Sequence, residues 1–89
     1  MIIKKDFILR KIAGEDVVVP IGQNIINFNG VITLNETAAF LWKELKNDCS
    51  KDTLKIKMCQ EYDVTEEKAQ EDIDKFLAVL EEHHILEDV

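Results

Sequence analysis

At Leu34-Asn35-Glu36 the apolar residues change period, and this switch limits the chain to strands first and helices afterwards. Upstream, the apolar runs are short and rich in β-branched residues, as strands require. Phe7-Ile8-Leu9-Arg10-Lys11-Ile12 stops at the turn signal Ala13-Gly14. Val17-Val18-Val19 stops at Pro20, which has no N–H to give a ladder. Gly14-Glu15-Asp16 is the expected tight connection between them, and Ile21-Gly22-Gln23-Asn24 the next loop. Residues 25–28 and 31–34 then flank Asn29-Gly30, a dipeptide that favours a hairpin because both residues tolerate positive φ. The four pieces are expected in one antiparallel sheet or in two small hairpins.

Downstream, the spacing predicts three helices. Asn35 is a good N-cap, and Glu36 suits the positive helix end. Ala38, Leu41, Trp42 and Leu45 then make one apolar face, with Trp42 as core anchor and Asn47-Asp48 as the stop. Ser50 or Asp52 opens the second helix, where Leu54, Met58 and Tyr62 recur every four residues beside Cys59. Tyr62-Asp63-Val64 ends it. Thr65 caps the longest helix, with Glu66 and Glu67 in its first turn and Ala69, Ile73, Phe76, Leu77 and Leu80 as its stripe. His83-His84-Ile85-Leu86 follows as a helix end and a short packed tail. Strands followed by three helices, the last two joined by a short turn, predict an α+β fold of winged helix-turn-helix type.

The 89 residues suit one domain, 1–89, with space for a core and one surface groove. A core, a cofactor pocket and a lid together would need more chain, so a recognition module is favoured over an enzyme. The net charge of −7 is uneven. Residues 1–45 hold five bases and five acids, whereas residues 46–89 hold six bases and 13 acids. A solvated acidic surface that maintains solubility accounts for the excess. The same acids repel phosphate backbones, so no nucleic-acid partner is expected. Met1-Ile2-Ile3 runs straight into Lys4-Lys5-Asp6, which leaves no apolar targeting region. No apolar run approaches the roughly 20 residues of a membrane span, so a cytoplasmic location and no membrane partner are expected. Cys49 and Cys59 suit a reducing compartment.

Catalytic signatures are missing. Structural zinc sites pair ligands as C-x2–4-C and H-x3–5-H, whereas here the Cys are ten apart and the His adjacent. No metal and no cofactor are expected. Cys59 reads as a small core residue, and His83-His84 as a pair near a helix C-terminus. Glu66, Glu67, Glu71, Asp72 and Asp74 lie largely off the apolar stripe, on a solvated face. No glycine-rich phosphate loop or G-x-S-x-G occurs. No residue is expected to be catalytic.

One flank of the last helix stands out. At about 100° per residue, Lys68, Asp72, Lys75 and Val79 share one side of the stripe. Lys68 and Lys75 are the only Lys or Arg beyond Met58. Chance placement on a solvated helix is the plain reading. The functional one is a groove wall, where Val79 gives apolar contact and the lysines take a peptide carboxylate.

The chain resembles the PqqD-like family, small proteins named for pyrroloquinoline quinone biosynthesis. The resemblance is carried by FILRKIAGEDVVVPIG, FNGVITLNETAAFLW, EYDV and FLAVLEEHHIL, which together span nearly the whole chain. Leu34-Asn35-Glu36-Thr37-Ala38-Ala39 with Trp42 is its most specific part. One departure is at His83-His84, where relatives often carry a glycine before the terminal apolar pair. The resemblance implies a winged helix-turn-helix with an N-terminal antiparallel sheet. It implies a non-catalytic role: recognition of ribosomally made precursor peptides, whose leader adds a strand to the sheet edge beside the third helix. It also implies a modifying-enzyme partner, often a radical S-adenosylmethionine protein. The expected peptide-binding residues are Val31, Ile32, Thr33, Leu34, Lys68, Asp72, Lys75 and Val79. Strand exchange of the N-terminal hairpin would give a homodimer.

Three rival readings come from other classes. A winged-helix DNA-binding protein would use the last helix, which carries the five acids named above. A small catalyst would need Cys49, Cys59 or the His pair in an open cleft. A structural subunit of a larger complex would show a broad apolar patch instead of an edge groove.

Overall fold

The computed structural model describes residues 1–21 and 32–87. Their order is β1 (Ile2–Ile3), β2 (Phe7–Ile12), β3 (Glu15–Pro20), β4 (Ile32–Leu34), α1 (Glu36–Glu44), α2 (Lys51–Glu61), α3 (Glu66–Glu82) and β5 (Leu86–Glu87). The fold is thus α+β, an N-terminal antiparallel sheet followed by three helices.

β2 and β3 pair from Phe7↔Pro20 to Ile12↔Glu15. The hairpin connection is therefore Ala13-Gly14, one residue earlier than expected, and Glu15 and Asp16 belong to the ladder. Both connecting residues have positive φ, 52° and 82°. That geometry matches the right-handed twist of the flanking strands and closes the hairpin in two residues. β3 also runs on through Pro20 instead of stopping before it. At the last strand position a missing N–H costs little. β4 pairs with β3 through Asp16↔Leu34, Val17↔Thr33 and Val18↔Ile32, giving the order β2-β3-β4. The expected loop at Gly22-Gln23-Asn24, strand over 25–28, Asn29-Gly30 turn and Val31 lie outside the described residues.

A second, two-stranded sheet pairs β1 with β5 through Ile2↔Glu87 and Ile3↔Leu86. Neither strand is predicted, because two residues carry no period. Long-range backbone bonds position β1: the Ile3 N–H donates to the Leu45 carbonyl at 3.0 Å, and the Cys49 N–H to the Met1 carbonyl at 2.9 Å.

Each helix starts on a side-chain cap. The Ala38 N–H donates to Asn35 Oδ1 at 2.8 Å, the Thr53 N–H to Ser50 Oγ at 3.2 Å, and the Lys68 N–H to Thr65 Oγ1 at 3.1 Å. Ser50, rather than Asp52, opens α2. Each cap satisfies a donor that the first turn would leave unpaired, a contribution of about 1 kcal/mol. The apolar faces converge on one core around Trp42, which is 1% exposed, together with Leu41, Leu45, Leu54, Met58, Ile73, Leu80 and Ile85. Val18 and Leu34 bring the sheet to it. Leu45 caps α1, just before the expected stop at Asn47-Asp48. At its far end α3 passes through His83 as C-cap to His84, whose φ is 56°. Among the described residues, no helix is long and apolar enough to cross a membrane.

Candidate functional site

Among the described residues, β4 is an edge strand. β3 lies on one side of it, and among the described residues no strand lies on the other. Side chains alternate along it: Leu34 is buried, Ile32 half-buried, and Thr33 exposed. Leu34 is therefore committed to the core, so toward an incoming chain it offers backbone more than side chain. Asn35 then turns the chain directly into α1, which fixes the edge against the helices.

α3 runs past this edge and leaves a groove of about 240 Å³. One wall is Ile32, Thr33 and Leu34; the other is Asp72, Lys75, Phe76 and Val79. The floor is Thr37, Ala38 and Leu41 of α1. The structure thus brings together six of the eight expected residues: Ile32, Thr33, Leu34, Asp72, Lys75 and Val79. Lys68 does not line the groove. It stands one turn away on α3, with its ammonium 3.0 Å from Asp72 Oδ1. Val31 lies outside the described residues. The α1 floor and Phe76 are not among the expected site residues: the period marks Ala38, Leu41 and Phe76 as core, and Thr37 carries no signal of its own. A signal was present in Ala38: a small residue on an apolar face leaves room above it.

The groove carries both signs of charge. Lys75 Nζ donates to Glu71 Oε1 at 3.0 Å. This bond, and then the charges of Lys75 and Lys68, hold the Glu71 carboxyl below its ordinary value. Its bond to Asp72, then the charges of Asp72 and Glu71, hold the Lys68 ammonium above its own. Both lysines are therefore already engaged within the helix, and a peptide carboxylate would have to compete for them. Such exposed pairs contribute little, so competition is inexpensive.

Other chemistry is sparse. Cys49 and Cys59 are free thiols, the first buried and the second half-buried. Among the described residues no three His, Cys, Asp or Glu side chains gather as metal ligands. A larger hollow of about 820 Å³ lies between the β2–β3 turn, α1 and the end of α2. Its rim mixes Lys11 and Lys43 with Glu15, Asp16, Glu36 and Glu61, so it offers no single charge preference. Phe40 and Tyr62 meet there edge to face, with ring centres 5.5 Å apart.

No curated protein matches the sequence. Among solved structures, the chain is similar to TbiB1 in complex with the TbiA(beta) leader peptide, at 20% identity and a TM-score of 0.77. The match covers 100% of this chain and 98% of that one, and shows that the two share a fold. The family model for coenzyme PQQ synthesis protein D matches residues 8–86, a span that takes in the sheet, the groove and all three helices. With so much of the sequence matched, the chain belongs to the PqqD family.

Proposed function

We propose that the chain is a peptide-binding adaptor. It takes the leader segment of a ribosomally made precursor peptide into the groove between β4 and α3 and presents the rest to a modifying enzyme. One observation carries this reading: among the described residues, a sheet edge with no paired strand lies directly beside an apolar-floored groove. An extended peptide can hydrogen-bond to that edge, while alternate side chains enter the groove. Membership of the PqqD family supports it. So does the shared fold with TbiB1, a protein solved in complex with a leader peptide.

The peptide-binding residues are Val31, Ile32, Thr33, Leu34, Lys68, Asp72, Lys75 and Val79. Ile32 and Val79 give apolar contact; Lys75, with Asp72 and Lys68 along the same flank, gives polar contact. The 1–89 unit acts without chemistry of its own, and the enzyme partner is of the radical S-adenosylmethionine type. Micromolar to nanomolar binding corresponds to about −8 to −12 kcal/mol, which an added strand and two or three buried anchors can supply.

The test is titration of the isotope-labelled chain with peptides encoded near its gene. Shifts at 31–34 and along 68–79 are expected. If no leader perturbs these amides, the proposal fails. The same samples, sized by light scattering, report strand exchange as a doubled mass.

A further inference from the structure

A second cleft runs along β2, which among the described residues is the outer strand opposite β4. Its volume is about 540 Å³. Lys4, Lys5, Arg10 and Lys46 surround it, and no carboxylate lines it. Of the seven other Lys, five sit within salt-bridge distance of a carboxylate (Lys11, Lys51, Lys57, Lys68 and Lys75), whereas Lys43 and Lys55, scattered on α1 and α2, join none among the described residues. Among the described residues, none of the four around this cleft joins a salt bridge. Four uncompensated cations thus gather in a protein of net charge −7. Between them Ile8 and Leu9 are half-buried and add apolar surface. The outer side of β2 bears no strand among the described residues.

We propose that this cleft docks a second protein through an extended acidic segment. Charge complementarity identifies the occupant. Four cations at one cleft call for several carboxylates, the half-buried Ile8 and Leu9 for apolar residues among them, and the strand edge for an extended backbone. A long polyanion fits less well. A DNA duplex or an anionic membrane reaches beyond the cleft, and the net −7 of residues 46–89 repels it. A short acidic segment stays within the basic patch. Among the described residues, β2 and β4 are the two outer strands of one sheet, so this cleft and the β4 groove lie at opposite edges. The proposal goes beyond the leader-binding reading and stands independently of it.

The experiment titrates the isotope-labelled full chain with a short peptide alternating Glu and Val. The same peptide with Lys in place of Glu, a short DNA duplex and phosphatidylserine vesicles form the other arms. The Glu peptide should shift the amides of Lys4, Lys5, Ile8, Leu9 and Arg10 and leave those of β4 unmoved. Its affinity should fall about tenfold from about 0.05 to 0.5 M salt, as exposed charges are screened. Arg10→Glu with Lys46→Glu should lower it about tenfold or more, with an unchanged unfolding midpoint, since both side chains are exposed. Equal binding of the Lys peptide, shifts confined to the β4 groove, or tighter binding of the duplex or vesicles overturns the proposal.

Discussion

Lys75 Nζ lies 3.0 Å from Glu71 Oε1, so the cation on the groove wall is held by its own helix before any peptide arrives. With Glu four residues N-terminal to Lys, the pair has the favourable orientation along the helix. A leader carboxylate must displace Glu71 to reach Lys75. Glu71→Gln should therefore tighten binding of an acidic leader about two- to fivefold, the equivalent of an exposed ion pair. Lys75→Ala should weaken it by a similar factor. Isothermal titration of each variant with one leader peptide checks both signs.

Val79 is half-buried on the same wall, one turn beyond Lys75. Val79→Ala removes two methyl groups from the groove, a loss of about 1–1.5 kcal/mol of apolar contact if a leader side chain covers them. Leader affinity should fall about five- to tenfold while the fold persists. Trp42 emission reports the fold independently, since the chain's single Trp is 1% exposed in the core.

The helix starts were legible because capping is local. Asn35, Ser50 and Thr65 each reach a backbone N–H three residues on, so sequence neighbours contain the whole interaction. The stripe of α3 was legible for a related reason: Ala69, Ile73, Phe76, Leu77 and Leu80 repeat at the helical period and all are buried. The pairing of Ile3 with Leu86 was not, because it joins residues 83 positions apart through strands too short to show alternation. The groove was half legible. Periodicity marks Lys75 and Val79 as one flank, but it cannot say that packing leaves open space above Ala38 and Leu41. Helical spacing alone pairs Lys68 with Asp72 and Glu71 with Lys75, and both ion pairs are present.

Tyr62 should ionise above its ordinary value of 10.0. Burial against Phe40 and its surroundings disfavours the phenolate first, and the charges of Glu36 and Glu61 add to it. The folded state thus favours neutral Tyr62. Its contribution to stability is complete below the unfolded value and is lost as pH rises through the folded one. The chain has one Tyr, so its absorbance titration is unambiguous. Glu36→Gln with Glu61→Gln should lower the midpoint without restoring 10.0, because burial remains.

Asn35 Oδ1 accepts from the Ala38 N–H at 2.8 Å and from Thr37 Oγ1 at 3.1 Å, at the point where the sheet edge becomes α1. Asn35→Ala should cost about 1 kcal/mol in denaturant unfolding. It should also weaken leader binding, since Thr37 and Ala38 form the groove floor. Asn35→Asp keeps the acceptor and should restore both.

His84 follows the C-cap of α3 with φ at 56°, in the left-handed region. The helix end needs that conformation: the His84 N–H returns to the Glu81 carbonyl at 3.1 Å and the Ile85 N–H to the Leu80 carbonyl at 2.9 Å. Ile85 is then fully buried, and Leu86 pairs with Ile3. A Cβ in this region is unfavourable by about 1–2 kcal/mol, and glycine escapes it. Glycine also loses more freedom on folding, which offsets part of the gain. His84→Gly should therefore stabilise the chain by about 0.5–1 kcal/mol, and His84→Ala should not. Ala13, at φ 52° in the β2–β3 turn, gives a second case of the same physics. Ala13→Asn creates the Asn-Gly pair that such turns prefer and should add stability of the same order. Neither site touches the groove, so urea midpoints should rise while leader affinity stays constant. A rise in affinity with the midpoint would mean that the groove itself is not fully formed in the free chain.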